Sequence, residues 1–209
     1  MAVTRKTLAI AGTILALTSC DLIQTPTPSG PGPKPNSLIH KDGILGSLLN
    51  FLMPASNAPG LVTDTVKFYA VVGQDRHDSI YYHAASGHTD STRFVYFDVP
   101  AGALVTNQYG DTLASGDSLQ ITMYLADSSH MTVGFQPSGL VFNSSNLPTL
   151  VMSYHWANPL TLPLLQALLG IWYQETPGGL WFPASSSVQI PAQTVTGRCP
   201  GFSVYASAY

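Results

Sequence analysis

The chain has 209 residues, of which 45% are hydrophobic and only 9% charged, with 18 Gly and 16 Pro. That is length for one ordinary domain with a remainder for a tail, and a charged fraction well below the roughly 25% of an average soluble protein. A net charge of −3 offers no basic face, which argues against nucleic acid as a partner; few charges and many turn formers describe an all-β extracytoplasmic domain better than a cytosolic enzyme.

The first twenty residues, "MAVTRKTLAIAGTILALTSC", carry the three parts of a secretory signal. Arg5 and Lys6 make a positive n-region, residues 8–17 an apolar run, and Leu17-Thr18-Ser19-Cys20 a small-residue cleavage site. The run is shorter than the ~20 residues of a bilayer-spanning helix. The tetrapeptide resembles the bacterial lipobox, in which the cysteine becomes the first mature residue and carries the lipid. Residues 1–19 are therefore expected to be a removed signal peptide and Cys20 to be lipidated. The thiol takes a diacylglyceryl group, and the amine freed by cleavage can be acylated too. Two or more chains anchor stably where one binds only marginally. The expected partner is the membrane, and the expected location is the bacterial cell envelope. Losing Arg5 and Lys6 with the signal takes the net charge from −3 to −5. Asp21 follows Cys20, which in some Gram-negative bacteria favours the inner membrane; the rule varies between lineages, so both membranes stay open.

Residues 20–60 read as a lipid-anchored tether and a short amphipathic segment. "DLIQTPTPSGPGPKPN" (21–36) has too little apolar content to bury surface and reads as an extended tether. At ~3.1 Å per residue it reaches up to roughly 50 Å from the lipid. From Ile44, Leu45, Leu48, Leu49 and Leu52 recur at helical spacing, which predicts a short amphipathic helix ending at Pro54. Its polar face has only Lys41 nearby, so docking on the domain is the main expectation. A loose segment, with Gly43 and Gly46 weakening the helix, and a membrane-surface helix are the alternatives.

From Leu61 the period becomes two, and residues 61–209 read as the folded domain. In "LQITMYLA", Leu119, Ile121, Met123 and Leu125 alternate with polar or small residues; "HMTVGFQ" places Met131, Val133 and Phe135 inward. Similar runs are "VKFYAVVG", "SIYYHA", "TRFVYFDV", "TLVMSYHW", "GIWYQE", "SSVQIP" and "FSVYASA", separated by turn chemistry such as "SGHTD", "NQYGD" and "PSG". Strands at this spacing predict an antiparallel β-sandwich or barrel. "LTLPLLQALLG" (160–170) predicts one short inserted helix.

Three stretches, "DVPAGAL" (98–104), "FQPSGLVF" (135–142) followed by "LPTLVMSY", and "GFSVYASA" (201–208), occur in an order that resembles the ZU5 domain and its bacterial relatives. Those signatures run roughly Val-x-Val-Pro-x-Gly-Ala-Leu, Gly-Pro-x-Gly-x-x-Phe and a closing His-Phe-Ser-x-Tyr-Ala. "GIWYQETPGGLWFP" also looks like the strand, Gly-rich turn and Trp-bearing strand of these relatives. The resemblance covers about residues 66–208. It implies a ZU5-like β-sandwich used mainly for protein–protein contact. Some relatives cleave their own chain at Phe-Ser, with the His as general base. The tripeptide here is Gly201-Phe202-Ser203: glycine stands where the base would be, so self-cleavage is expected to be inactive.

Other chemistry is sparse. With Cys20 lipidated, Cys199 is a lone thiol, expected to be packed between strands; neighbouring Arg198 could lower its pKa. His77, His83 and His88, with Asp75, Asp78 and Asp90 nearby, lack metal-binding spacing and read as a solvated hairpin. His77 and His83, six apart, share a face of an ideal strand about 20 Å apart, too far for one ion. Glu175 is the only glutamate, and no carboxylate pair suggests glycosidase chemistry. Tyr81, Tyr124, Trp156 and Trp172 could form a carbohydrate or protein contact face, or simply fill sheet surfaces. "NSS" at Asn143 matches a glycosylation sequon that means little behind a bacterial lipobox. The reading is a cell-envelope lipoprotein displaying a non-catalytic β-sandwich for protein binding or scaffolding, with no cofactor or metal; the alternative is a surface glycan-binding or glycan-hydrolysing protein.

Overall fold

A computed structural model describes residues 43–84, 92–158, 165–176 and 178–209, all within one compact unit, Pro35–Tyr209. The signal peptide, Cys20, the tether, His88, Asp90 and residues 160–164 of the expected inserted helix lie outside the described residues.

The described chain is all-β. Its strands are β1 Thr65–Val71, β2 Arg76–Tyr81, β3 Arg93–Val99, β4 Leu104–Thr106, β5 Ser118–Asp127, β6 Thr132–Gln136 and β7 Val141–Phe142. They continue with β8 Thr149–Ser153, β9 Gly170–Gln174, β10 Trp181–Pro183, β11 Ser186–Gln189, β12 Thr194–Arg198 and β13 Val204–Ala208. Strands β1-β5-β6-β13-β9-β10 form a six-stranded sheet, β11-β12-β8-β3-β2 a five-stranded sheet, and β4-β7 a two-stranded ribbon. The pairings are antiparallel throughout.

Strand β5 follows the expected alternation: Ile121 and Met123 are fully buried, Gln120 is exposed, and Thr122 and Tyr124 are half-buried on the opposite face. In β6, Thr132, Val133, Gly134 and Phe135 are all buried, so both faces are covered. The cause is partly Tyr124, which pairs with Gly134 and lays its ring on it; a Cβ there would come within 2.3 Å of the ring.

One aromatic cluster joins the sheets. The rings of Phe97 (β3) and Phe135 (β6) lie 4.4 Å apart; Phe202 stacks on Phe135 at 5.3 Å and meets Phe142 (β7) at 5.1 Å. All four are buried in the main core. Such pairs are worth about 0.5–1.5 kcal/mol each beyond their burial. Strand β3 stops before Pro100, and in the "PSG" turn Gly139 takes φ +87°.

The amphipathic helix expected from Ile44 is replaced by an extended strap containing a single 3-10 turn, Gly46–Leu48. Leu45 and Leu48 are 60% and 69% exposed, whereas Leu49 and Leu52 are buried. Non-local hydrogen bonds explain the difference. Ile44 N–H donates to Trp181 O at 2.9 Å and Trp181 N–H to Ile44 O at 2.8 Å; Leu52 N–H donates to Ser207 O at 3.0 Å and Met131 N–H to Leu52 O at 2.9 Å. The sheet satisfies backbone groups that a Gly-weakened helix would have bonded internally. The strap thereby docks on the domain, packing over Trp172, Trp181, Val204, Ala206 and Ala208. The described part of 160–170 contains a 3-10 turn, Gln166–Leu168.

Candidate functional site

Strand β13 lies inside its sheet, between β6 and β9. Tyr205 faces the main core, while Ala206 and Ala208 face the strap. Phe202 precedes the strand and packs in the same core as Tyr205. Cys199 is fully buried, and burial pushes its thiol up to about 12, outweighing the hydrogen bond with Tyr205 and the charge of Arg198. Arg198 does not activate it: the guanidinium donates to Leu147 O at 3.1 Å and Thr149 Oγ1 at 2.8 Å.

At the degenerate tripeptide, Tyr205 Oη–H donates to Gly201 O at 2.5 Å. Ser203 Oγ–H donates to Val204 O at 3.2 Å, and a backbone carbonyl cannot take its proton. A Cβ at Gly201 would meet only Leu140 O, at 3.9 Å, so local space does not demand glycine.

His77 lies on β2 with its ring 5.5 Å from Tyr96, while His83 lies beyond the strand, after a bulge at Ile80/Tyr81. Among the described residues, no group of three His, Cys, Asp or Glu side chains is placed to hold a metal ion. The four aromatics do not gather on one face. Tyr81 belongs to the five-stranded sheet, Tyr124 covers Gly134, Trp172 lies under the strap, and Trp156 packs against Tyr82 and His155.

Sequence patterns gave no notice of two other features. In the β5–β6 turn, Asp127 Oδ2 lies 2.8 Å from His130 Nδ1, and Ser129 donates to Asp127 Oδ1 through its hydroxyl at 2.6 Å and its amide at 2.8 Å. The Ser129 hydroxyl, then His130 and the Ser129 amide, hold the Asp127 carboxyl well below the usual carboxylate range. A histidine oriented by a carboxylate is the arrangement a general base uses. Here the Ser129 hydroxyl donates a hydrogen bond to the carboxylate, with its Oγ 3.3 Å from His130 Nδ1, and the cluster closes a turn.

The second feature is a shallow, open groove of about 690 Å³ on the outer face of β5 and β6. Gln120 and Thr122 of β5 and Gln136 of β6 line it, with Gln108 and Tyr109 from the loop before β5 and Ser138 from the turn after β6. Pairing of Thr122 with Gln136 joins the two strands there. The loop is tied by Asn107, whose Oδ1 accepts from Tyr109 N–H at 2.9 Å and Asp111 N–H at 3.0 Å, and whose Nδ2 donates to Asp111 Oδ2 at 3.0 Å. Gly110 takes φ +91° to close it, leaving Tyr109 80% exposed. Gln120 Nε2–H donates to Tyr69 Oη at 3.3 Å, and Gln108 Oε1 is buried with no hydrogen-bond partner.

No family model, curated protein or solved structure matches the chain. No helix among the described residues is long and apolar enough to cross a membrane.

Proposed function

We propose that the chain is a bacterial cell-envelope lipoprotein, anchored through lipid on Cys20, that displays a non-catalytic β-sandwich of ZU5-like type for binding. The ordered motifs support the finer fold reading, as does the aromatic core shared by the two large sheets. The geometry around Ser203 supports the non-catalytic reading: its hydroxyl proton goes to a carbonyl, and Gly201 brings no base. The observation that carries the binding role is the preformed groove over β5 and β6, whose loop wall is tied by Asn107. The groove also favours the glycan-binding alternative over a protein partner at that site. Hydrolysis of a glycan calls for two placed carboxylates, and the residues lining this groove include none.

Intact and fragment mass spectrometry of the full-length protein made in a bacterial host tests the reading. The expected product begins at a lipid-modified Cys20 and keeps the Phe202–Ser203 bond whole. An unlipidated mature chain, or a fragment beginning at Ser203, overturns it.

A further inference from the structure

We infer that the groove over β5 and β6 is a binding site for a neutral oligosaccharide. The inference rests on the reading of the domain as a non-catalytic binding module. Its lining is mostly polar, with Leu119 and Pro137 as its apolar aliphatic members. The amides of Gln108, Gln120 and Gln136 carry donors, one of them on Gln120 engaged with Tyr69 Oη, and the Thr122 and Ser138 hydroxyls both donate and accept, as sugar hydroxyls do. No lining residue is charged; Lys67 of β1 pairs with Thr122, and Asp111 bonds Asn107 in the loop. A phosphate or nucleic acid site would gather Lys and Arg, and a protein hot spot would centre on desolvated aromatic and Arg anchors. This groove does neither.

Two features make the lining a site rather than a polar sheet face. Tyr109 holds a large ring out at the mouth, 80% exposed, where a pyranose could cover it with its apolar C–H face. The Asn107 bonds and Gly110 hold that ring's loop in place before any ligand arrives, so binding orders little backbone.

The test uses the full-length chain in detergent micelles, titrated by calorimetry with cellohexaose, xylohexaose, mannohexaose and chitohexaose. At least one is expected to bind, and Tyr109→Ala and Gln120→Ala are each expected to weaken it about tenfold, the loss of one ring contact or hydrogen bond. Leu48→Ala, on the exposed strap, should bind as the parent does. Thermal melts of each variant separate lost binding from lost folding. Failure of all four oligosaccharides to bind overturns the inference, as does binding that Tyr109→Ala and Gln120→Ala leave unchanged. An envelope protein whose capture requires Tyr109 and Gln120, without oligosaccharide binding, assigns the groove to a protein and overturns it too. Recovered oligosaccharides are then weighed. Shortened products overturn the non-catalytic reading but leave the site standing, whereas intact sugars without binding overturn the site and leave the lipid-anchored reading standing.

Discussion

Leu52→Ala should destabilise the domain by about 3 kcal/mol, and Leu48→Ala by less than about 0.5 kcal/mol. Leu52 is 2% exposed and belongs to the main core. Removing its three outer carbons forfeits about 0.8 kcal/mol each, or roughly 2.4 kcal/mol of transfer free energy. A cavity contribution follows, because hydrogen bonds to Ser207 and from Met131 pin the backbone on both sides and limit collapse. Leu48, by contrast, is 69% exposed, so its truncation removes little that is buried. For a domain of this size the Leu52 change corresponds to a fall in Tm of about 6–12 °C. Urea unfolding followed by tryptophan fluorescence measures both variants, since Trp172 and Trp181 pack with the strap. Equal losses at Leu48 and Leu52 would mean that the leucines are buried together as a helical stripe, and a neutral Leu52→Ala would mean that the strap does not dock. Either result would refute the reasoning.

Two titratable groups give further tests. Cys199 should resist thiol reagents at pH 8 in the folded protein and react fully once unfolded; rapid reaction of the native thiol would contradict its complete burial. Because its folded pKa is raised from 9.0 to about 12, the unfolded chain releases this proton first. The stabilisation is therefore full below about pH 9 and declines toward pH 12, by up to about 1.4 kcal/mol per pH unit. Tyr205, Tyr82 and Tyr173, all raised by burial, act in the same direction. A urea midpoint that stays flat from pH 9 to 12 would argue against these burials. Asp127 should titrate well below the usual carboxylate range by NMR, and Ser129→Ala should move it upward. Its depressed value contributes stability above the ordinary carboxylate range that is lost as pH falls, and only weakly, because the pair is nearly half exposed. An unchanged titration in Ser129→Ala would remove the hydroxyl as the main cause.

Strands with one face on the core were legible, as in β5, where burial alternates at Ile121 and Met123. The strands that escaped notice lacked the material for a pattern. Ribbon strands β4 and β7 have three and two residues. In β12, "TVTGR" shows one apolar side chain, Val195, because Gly197 stands where Ile171 presses close; a Cβ there would lie 2.9 Å from it. The strap misled for a different reason. Its leucines do fall at helical spacing, but the hydrogen bonds that decide its conformation come from Trp181, Ser207 and Met131, more than seventy positions away along the chain.

The site divides the same way. At Gly201-Phe202-Ser203 the residue types alone were legible, with glycine where the resemblance would place an imidazole. The groove had no such notice. Its residues come from three stretches that read separately as a turn, a polar strand face and another turn. They meet only through the pairing of Thr122 with Gln136 and the packing of the loop on the turn, where a Cβ at Gly139 would sit 3.4 Å from Gln108 O. Glutamine, threonine and serine are ordinary residues for any solvated surface, so their types carry no alarm of the kind a histidine or carboxylate pair raises. For a neutral ligand the information lies in which ordinary residues the topology gathers, and register is what a single sequence conceals most completely.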